Sequence, residues 1–273
     1  NNTIVFDLTT NNFFRYDVNV WVQVGGGGSS FDCEDLLACP IITQIIEQLT
    51  NVSEIVAENN DTSVPVVGFG LLYNYLVITD SRNIAAAGWS VPSRQDYRDL
   101  AAYLGGSTIA GAKCIQPSTE WWSGNLPSHT NSAKLNVRGT GRRDGYSGSF
   151  VEFEDGGFLG NISPSDSYQY PAYFEKTSDA LVTNYLRPFA DGVSLRLFRS
   201  ASGVPDGVVG TYVGNDNKVY RTITLMEYEW MADNLAETLW RDGTSIVEET
   251  LNTNWRYATV PLMCAPNNDW SLV

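Results

Sequence analysis

Histidine is almost missing from this sequence: His129 is the one histidine in 273 residues. A histidine-rich zinc centre is therefore excluded. A Ser/His/Asp triad would have to be built on His129 in its polar loop, and no GxSxG elbow accompanies it. Cysteine is scarce as well. Cys33, Cys39, Cys114 and Cys264 are too few for a disulfide scaffold at this length, and no pair has zinc-ligand spacing. Cys33 and Cys39 are near enough to pair locally; the alternative, free thiols throughout, implies folding in a reducing compartment. No run of eighteen apolar residues occurs, so no membrane-spanning helix is expected. The first residues lack a signal-peptide layout, and a start at Asn1-Asn2 rather than Met suggests a beginning that was cleaved or omitted.

Positive charge is also short, with 17 Lys and Arg against 31 Asp and Glu and a net charge of −14. Such a chain repels phosphate backbones, which argues against nucleic acid as a partner. The imbalance is uneven. Residues 1–64 carry nine acids and one base, residues 65–213 thirteen acids and twelve bases, and residues 214–273 nine acids and four bases. GGGG at 25–28 lacks the Lys-Ser/Thr of a phosphate loop and reads as a joint. Glu152, Glu154 and Asp155 alternate with Val151 and Phe153, the pattern of a solvated strand face rather than of paired catalytic carboxylates. GTGRRDGYSGS and GNDNK are oxygen-rich turns without the closing Glu of a calcium loop, so no metal and no cofactor is assigned.

What the sequence does hold is 43% hydrophobic and 12% aromatic residues, enough for one large domain or two small ones. TIVFDL and YDVNVWVQV alternate as short strands do. After the joint GGGGSS (25–30), Ile42, Ile45, Ile46, Leu49, Val52 and Val56 recur at helical steps. That stripe suits a parallel bundle of three or four chains, or equally a helix packed on its own domain. NNDTSVP (59–65) is a polar linker. From Val66 to Arg199 we expect many short strands, long loops and one helix over 93–104. Ser93 and Asp96 form its capping box, Tyr97, Leu100, Ala101 and Leu104 its apolar stripe, and Gly105-Gly106 its stop. A second helix is expected around 226–239, in EWMADNL, beyond the turn-rich connector SGVPDGVVG (202–210).

GFGLLYNYLVITDSRNIAAAGWSVPSRQDYRDLAAYLGG, TNSAKLNVRGTGRRDGYSGSF (130–150) and DGVSLRLFR (191–199) follow one another in this order. Together they resemble the Fibrobacter succinogenes major paralogous domain over Gly68–Arg199. That family is similar to the C-type-lectin-like fold, also used by variable proteins of diversity-generating retroelements. The resemblance implies an α+β domain of short twisted strands with one or two helices, in which Gly88–Gly106 is scaffold with Trp89 buried. Leu197 stands where the family usually has Cys, and Ser90 where it often has His. The family's front half appears out of order, as GNDNKVYRTITLMEYEWMADNLAETLWRDGTSI and NTNWRYATVPLMCAPNNDW within 214–270. It could complete the domain in cis, complete a neighbouring subunit by swapping, or be the stump of a second repeat. A lone 60-residue stump would struggle to bury a core, which favours the first two. The organisation expected is thus 1–64, an attachment and oligomerisation region; 65–202, the lectin-like domain; and 203–273, its displaced front half.

Such domains mostly bind through surface side chains. Gln116-Pro117-Ser118 is a poor match to the sugar-binding triplet of calcium-dependent lectins, and Cys114 and Cys264 lack the motif of formylglycine-generating oxidases, so no enzyme is expected. Retroelement-type relatives display ligand contacts on the last strands and the preceding loop, which maps to 167–189. The resemblance thus implies Tyr168, Tyr170, Tyr173, Phe174, Asn184, Tyr185, Arg187 and Phe189 as ligand contacts, with Trp121 and Trp122 at the border. Tyr and Arg are favoured at binding surfaces, although half of these rings could equally alternate into the core. Residues 1–64 look similar to N-terminal attachment parts of bacteriophage structural proteins. The functional expectation is a displayed binding module: a virion fibre or tail-tip protein, or a bacterial surface adhesin. It would be anchored to other virion proteins through its N-terminal region, homo-oligomeric (a trimer for preference), and directed at a host-surface glycan or protein. The alternative is a purely structural or decorating component.

Overall fold

The structure is a computed structural model that describes residues 4–7, 12–17, 20–25, 68–163 and 168–273. The chain divides into two compact units, 1–63 and 64–273. In the first, strands β1 (Ile4–Asp7), β2 (Asn12–Asp17) and β3 (Val20–Gly25) form an antiparallel sheet in that order. Its register shifts between Phe13 and Phe14. Most of the glycine joint, Cys33, Cys39 and the Ile-striped segment lie outside the described residues.

The second unit is a mixed α+β fold of small sheets and short helices. Its elements begin with β4 (Leu72–Tyr73), α1 (Tyr75–Thr79), α2 (Arg94–Tyr103) and α3 (Ala110–Cys114). Then come β5 (Arg142–Arg143), β6 (Phe150–Val151), β7 (Gly156–Leu159), β8 (Tyr168–Gln169), β9 (Ala172–Glu175) and β10 (Arg187–Pro188). The remainder is β11 (Phe198–Ser200), β12 (Val209–Val213), β13 (Val219–Leu225), β14 (Tyr228–Met231), β15 (Val247–Glu248), α4 (Asn252–Arg256) and β16 (Leu262–Cys264).

Helix α2 forms for local reasons. Ser93 Oγ accepts from the Asp96 amide, and the Asp96 carboxylate accepts from the Ser93 amide at 2.6 Å. At the other end Gly105 and Gly106 take left-handed φ values, and their amides return to the carbonyls of Ala102 and Ala101, a Schellman stop. Tyr97, Leu100, Ala101 and Leu104 are all buried, so the stripe faces the core.

The segment expected as a helix around 226–239 is instead a hairpin strand and an extended run. Met226 and Glu227, both with φ near +60°, form the two-residue turn between β13 and β14. Strand β14 is central in the sheet β11-β14-β13-β12 and is paired on both sides, so tertiary pairing overrides its helical propensity. Glu229 is buried there by bonding Thr222 Oγ1 at 2.6 Å and Arg199 Nε at 2.7 Å.

Residues 203–273 are part of this unit. Strand β16 pairs with β4 and β15, so Met263 lies opposite Tyr73. Each of the two large apolar clusters mixes both parts of the chain. Tyr97 and Trp122 share one with Ile223 and Trp230, while Tyr73 and Leu197 share the other with Tyr220 and Trp240.

Between them runs a buried polar network. Asp233 binds Arg221 in bidentate fashion, at 2.9 and 2.5 Å, and lies 3.3 Å from Arg138. Asn234 accepts from Arg196 Nε at 2.8 Å and donates to the Phe69 carbonyl and Thr140 Oγ1, both at 2.9 Å. The Arg221 bonds hold the Asp233 carboxyl below its ordinary pKa even though burial raises it. Burial pushes Arg138 and Arg196 down to about 10. Asp233→Asn leaves Arg138 and Arg221 without their counter-charge, so a loss of about 3–5 kcal/mol is expected in urea unfolding. Removal of 203–273 opens both apolar clusters, and near-ultraviolet circular dichroism should show no cooperative transition in the truncated chain.

Candidate ligand-binding face

The residues expected to contact ligand divide into a buried group and a surface group. Phe174 is buried in the core with Tyr97 and Trp122. Trp122 donates its indole N–H to the Val137 carbonyl, and Trp121 packs edge-on against Phe69 beneath the Arg138 guanidinium. Trp121, Trp122 and Phe174 therefore belong to the core and not to a binding surface. The alternation of β9 explains Phe174: its burial pattern turns Ala172 and Phe174 inward and leaves Tyr173 and Glu175 half-buried.

The remaining residues lie on or beside β8, β9, β10 and the 176–186 loop. Strands β8 and β10 pair so that Tyr168 lies opposite Pro188 and Gln169 opposite Arg187. From Arg187 a stack of rings runs inward. Its guanidinium carbon lies 3.8 Å from the Tyr185 ring, Tyr185 stacks on Tyr173 at 4.8 Å, and Tyr173 on Phe158 at 4.7 Å. Arg142 closes the far end, 5.8 Å from Phe158. Tyr185 and Arg187 thus share one side, as alternation requires. Phe189 stacks almost parallel on Tyr75 at 4.1 Å, and the Tyr75 hydroxyl donates to the Ser163 carbonyl. Tyr170 carries the Arg94 guanidinium 4.0 Å from its ring. Asn184, Leu186 and Tyr168 are the outermost members.

This face rests on rigid supports. Tyr173 and Val182 exchange both backbone hydrogen bonds, pinning the 176–186 loop to β9. The Leu181 amide donates to the Ser107 carbonyl and the Ala112 amide to the Asp179 carbonyl, which fastens the same loop to α3 and to the turn before it. Asn161 donates to the Tyr170 carbonyl at 2.7 Å, and Gln169, fully buried, donates to the carbonyls of Pro188 and Asp191.

Asp191 ties the ends of the ring stack together. Its carboxylate lies 3.0 Å from Arg142 and 3.9 Å from Arg187, and it accepts from the Gly145 amide at 2.8 Å. Burial pushes its carboxyl up to about 6, although Arg142, that amide and Arg187 all favour the ionised form. The acids read as a solvated strand face are placed differently: β6 ends at Val151, and Glu152 and Glu154 adopt left-handed turn conformations. Glu152 binds Arg142 at 2.9 Å, and Asp155 binds Lys176 and Ser123.

Elsewhere the chemistry is quiet. His129 is buried with Nε2 facing the Ser178 carbonyl at 3.2 Å. Cys114 and Cys264 are buried free thiols, pushed up to about 12 by burial. Among the described residues no group of three or more His, Cys, Asp or Glu side chains is placed to hold a metal ion. Arg94, Arg98, Thr183, Phe158, Arg142 and Asp191 belong to the face or its support but were not anticipated. The one signal that could have flagged the first two is a pair of like charges four apart on a helix.

The family model of the Fibrobacter succinogenes major domain matches residues 35–167, which supports that domain family for this stretch. The match takes in Arg94, Arg142 and Phe158 and ends short of β8 and β10. No curated protein and no solved structure matches the chain.

Asp191 gives the face a pH signature. Its folded pKa lies above the ordinary value of about 3.9, so the native state holds the proton more tightly than the unfolded chain. Its contribution to stability therefore falls as pH rises from about 4 to 6. Glu237, raised to about 7 by burial, acts in the same sense. Asp191→Asn is expected to flatten the Asp191 share of this slope, read as unfolding free energy against pH.

Proposed function

We propose that this chain is a non-enzymatic, displayed binding module that recognises a host-surface ligand through the face built on β8, β10 and the 176–186 loop. The observation that carries the reading is the arrangement of Tyr170, Tyr173, Tyr185, Arg187 and Phe189. These are half-buried aromatic and arginine side chains, held by stacking and by backbone bonds to the scaffold. Rings fixed in this way offer contact area at little further cost in side-chain entropy, which is how binding surfaces use Tyr and Arg. The short sheets, long loops and match to the Fibrobacter succinogenes major domain support a C-type-lectin-like version of the α+β fold. We place the chain in a bacteriophage fibre or tail tip, with a bacterial surface adhesin as the second location. Residues 1–64 would attach it to other virion proteins and assemble it, as a trimer for preference.

The second reading is a structural or decorating component without a receptor. The edge strand β12 favours it: Val209 and Val213 are 54% and 51% exposed, and the strand carries no charge or proline to block pairing with another chain.

Saturable binding of the labelled chain to intact bacterial cells separates the two readings. The comparison is a variant with Tyr170→Ala, Tyr185→Ala and Arg187→Ala that keeps the far-ultraviolet circular dichroism and the cooperative thermal unfolding of the original chain. We expect the variant to bind at least tenfold more weakly, which corresponds to about 1.4 kcal/mol or more. Equal binding by both proteins would remove this face from recognition, and cells bound by neither would favour the structural role.

A further inference from the structure

The arginines of this unit are mostly neutralised. Arg82 pairs with Asp80, Arg138 and Arg221 with Asp233, Arg142 with three carboxylates, and Arg199 with Glu229. Arg143 and Arg196 spend their guanidinium N–H groups on backbone carbonyls and the side-chain oxygens of Asn252 and Asn234. Arg241 donates to the carbonyls of Ala85 and Ala86, and Arg256 lies against the Tyr257 ring. Arg94 and Arg98 differ in standing together. No carboxylate among the described residues lies within ion-pairing distance of either one. The acids on the same helix are engaged with their own neighbours: Asp96 with the Ser93 amide and Asp99 with Gln95.

The two guanidiniums are nonetheless held side by side. They stand one turn apart on α2, a spacing at which like charges destabilise a helix. Both converge on a single residue of the 176–186 loop. Arg94 Nε donates to the Thr183 carbonyl at 2.6 Å, and Arg98 Nε donates to Thr183 Oγ1 at 3.4 Å. Each therefore spends its Nε on the protein, and no protein acceptor among the described residues takes up the terminal nitrogens of either. Partial burial and then the charge of Arg98 lower the Arg94 pKa, while Tyr170 acts in the opposite sense. Tyr170 lies under Arg94, and the exposed Asn184 follows Thr183 directly. In a chain of net charge −14, a pair of positive charges with no carboxylate among the described residues at ion-pairing distance is a local exception.

We propose that Arg94 and Arg98, joined at Thr183 beside Tyr170, form a subsite for the anionic oxygen group of an acidic saccharide. The group is a carboxylate, phosphate or sulfate. Two oxygens of such an anion accept paired N–H bonds from a guanidinium fork, and its charge offsets the repulsion between the two arginines. Tyr170 and Asn184 then border the sugar to which the anion is attached. This subsite rests on the reading of the face as a recognition surface and names the chemistry of what it takes.

The test is a calorimetric titration of the full chain with glucuronic acid, glucose 6-phosphate, inorganic sulfate and glucose, repeated with Arg98→Gln and Arg98→Lys. Arg98 is exposed, so both variants are expected to fold. At least one acidic sugar should bind tenfold or more tightly than glucose. Arg98→Gln should weaken that binding at least tenfold, Arg98→Lys should restore part of it, and added salt should weaken it. Equal binding of glucose, indifference to Arg98→Gln, or no binding at all overturns the proposal. Sulfate bound as tightly as the best acidic sugar overturns the saccharide assignment in favour of a free-anion site. Cells bound equally well by Arg98→Gln would sink the subsite and leave surface recognition standing. An acidic sugar bound in solution by a chain that binds no cell would do the reverse.

Discussion

The carboxylate of Asp233, buried between Arg138 and Arg221, is the interaction on which the rest of the second unit depends. An ionised group taken out of water is tolerated only where its partners are fixed and its hydrogen bonds are filled. Here the partners come from far apart in the sequence. Arg138 also reaches the carbonyl of Gly68 and the amide oxygen of Gln116. Asn234, next in the chain, gathers Arg196, Phe69, Thr140 and Ser194. The start of the unit, its middle and the β14 strand thus meet at two consecutive residues, and none can shift without orphaning a buried charge.

That constraint extends to the aromatic face around Tyr173 and Tyr185 by short steps. Asp191, five residues before Arg196, fixes Arg142 and lies near Arg187. Arg142 caps the ring stack at Phe158, and Phe158 belongs to β7, which pairs with β9 and so with Tyr173. Rigidity passes from a buried ionic centre to half-exposed rings through contiguous contacts. A surface supported in this way keeps its shape when single exposed side chains change, a useful property where side-chain identity sets what is bound.

The parts of this structure that were legible in the sequence are those written in local chemistry. Ser93, Asp96 and the glycine pair at 105–106 encode α2 without help from elsewhere, and the structure has the helix with both caps. The run EWMADNL misled because its helical composition is overruled by strands on both sides, and pairing partners distant in sequence leave no local trace. Trp121, Trp122 and Phe174 failed as surface residues for a related reason. Composition identifies an aromatic-rich stretch, while only the tertiary arrangement decides which rings turn inward. The out-of-order motif around Asp233 and Asn234 could be recognised, but its role as the polar hub could not, since Arg138, Arg196 and Arg221 are ordinary arginines until the fold collects them.

Arg94 and Arg98 show the limit from the opposite direction. In the sequence they sit inside the most readable element of the chain, where capping and periodicity account for every neighbouring residue and leave the two arginines as solvated surface. Their significance lies in what is missing around them once the fold is formed. Most of the other arginines of the unit have a carboxylate or a set of carbonyls, and these two share one threonine with no counter-charge among the described residues. A protein that balances buried charge closely at Asp233 and Asp191 has left an imbalance at the rim of its aromatic face. Local rules broken without compensation are most often found where a protein meets something else, which is why the proposed subsite is placed at these two arginines.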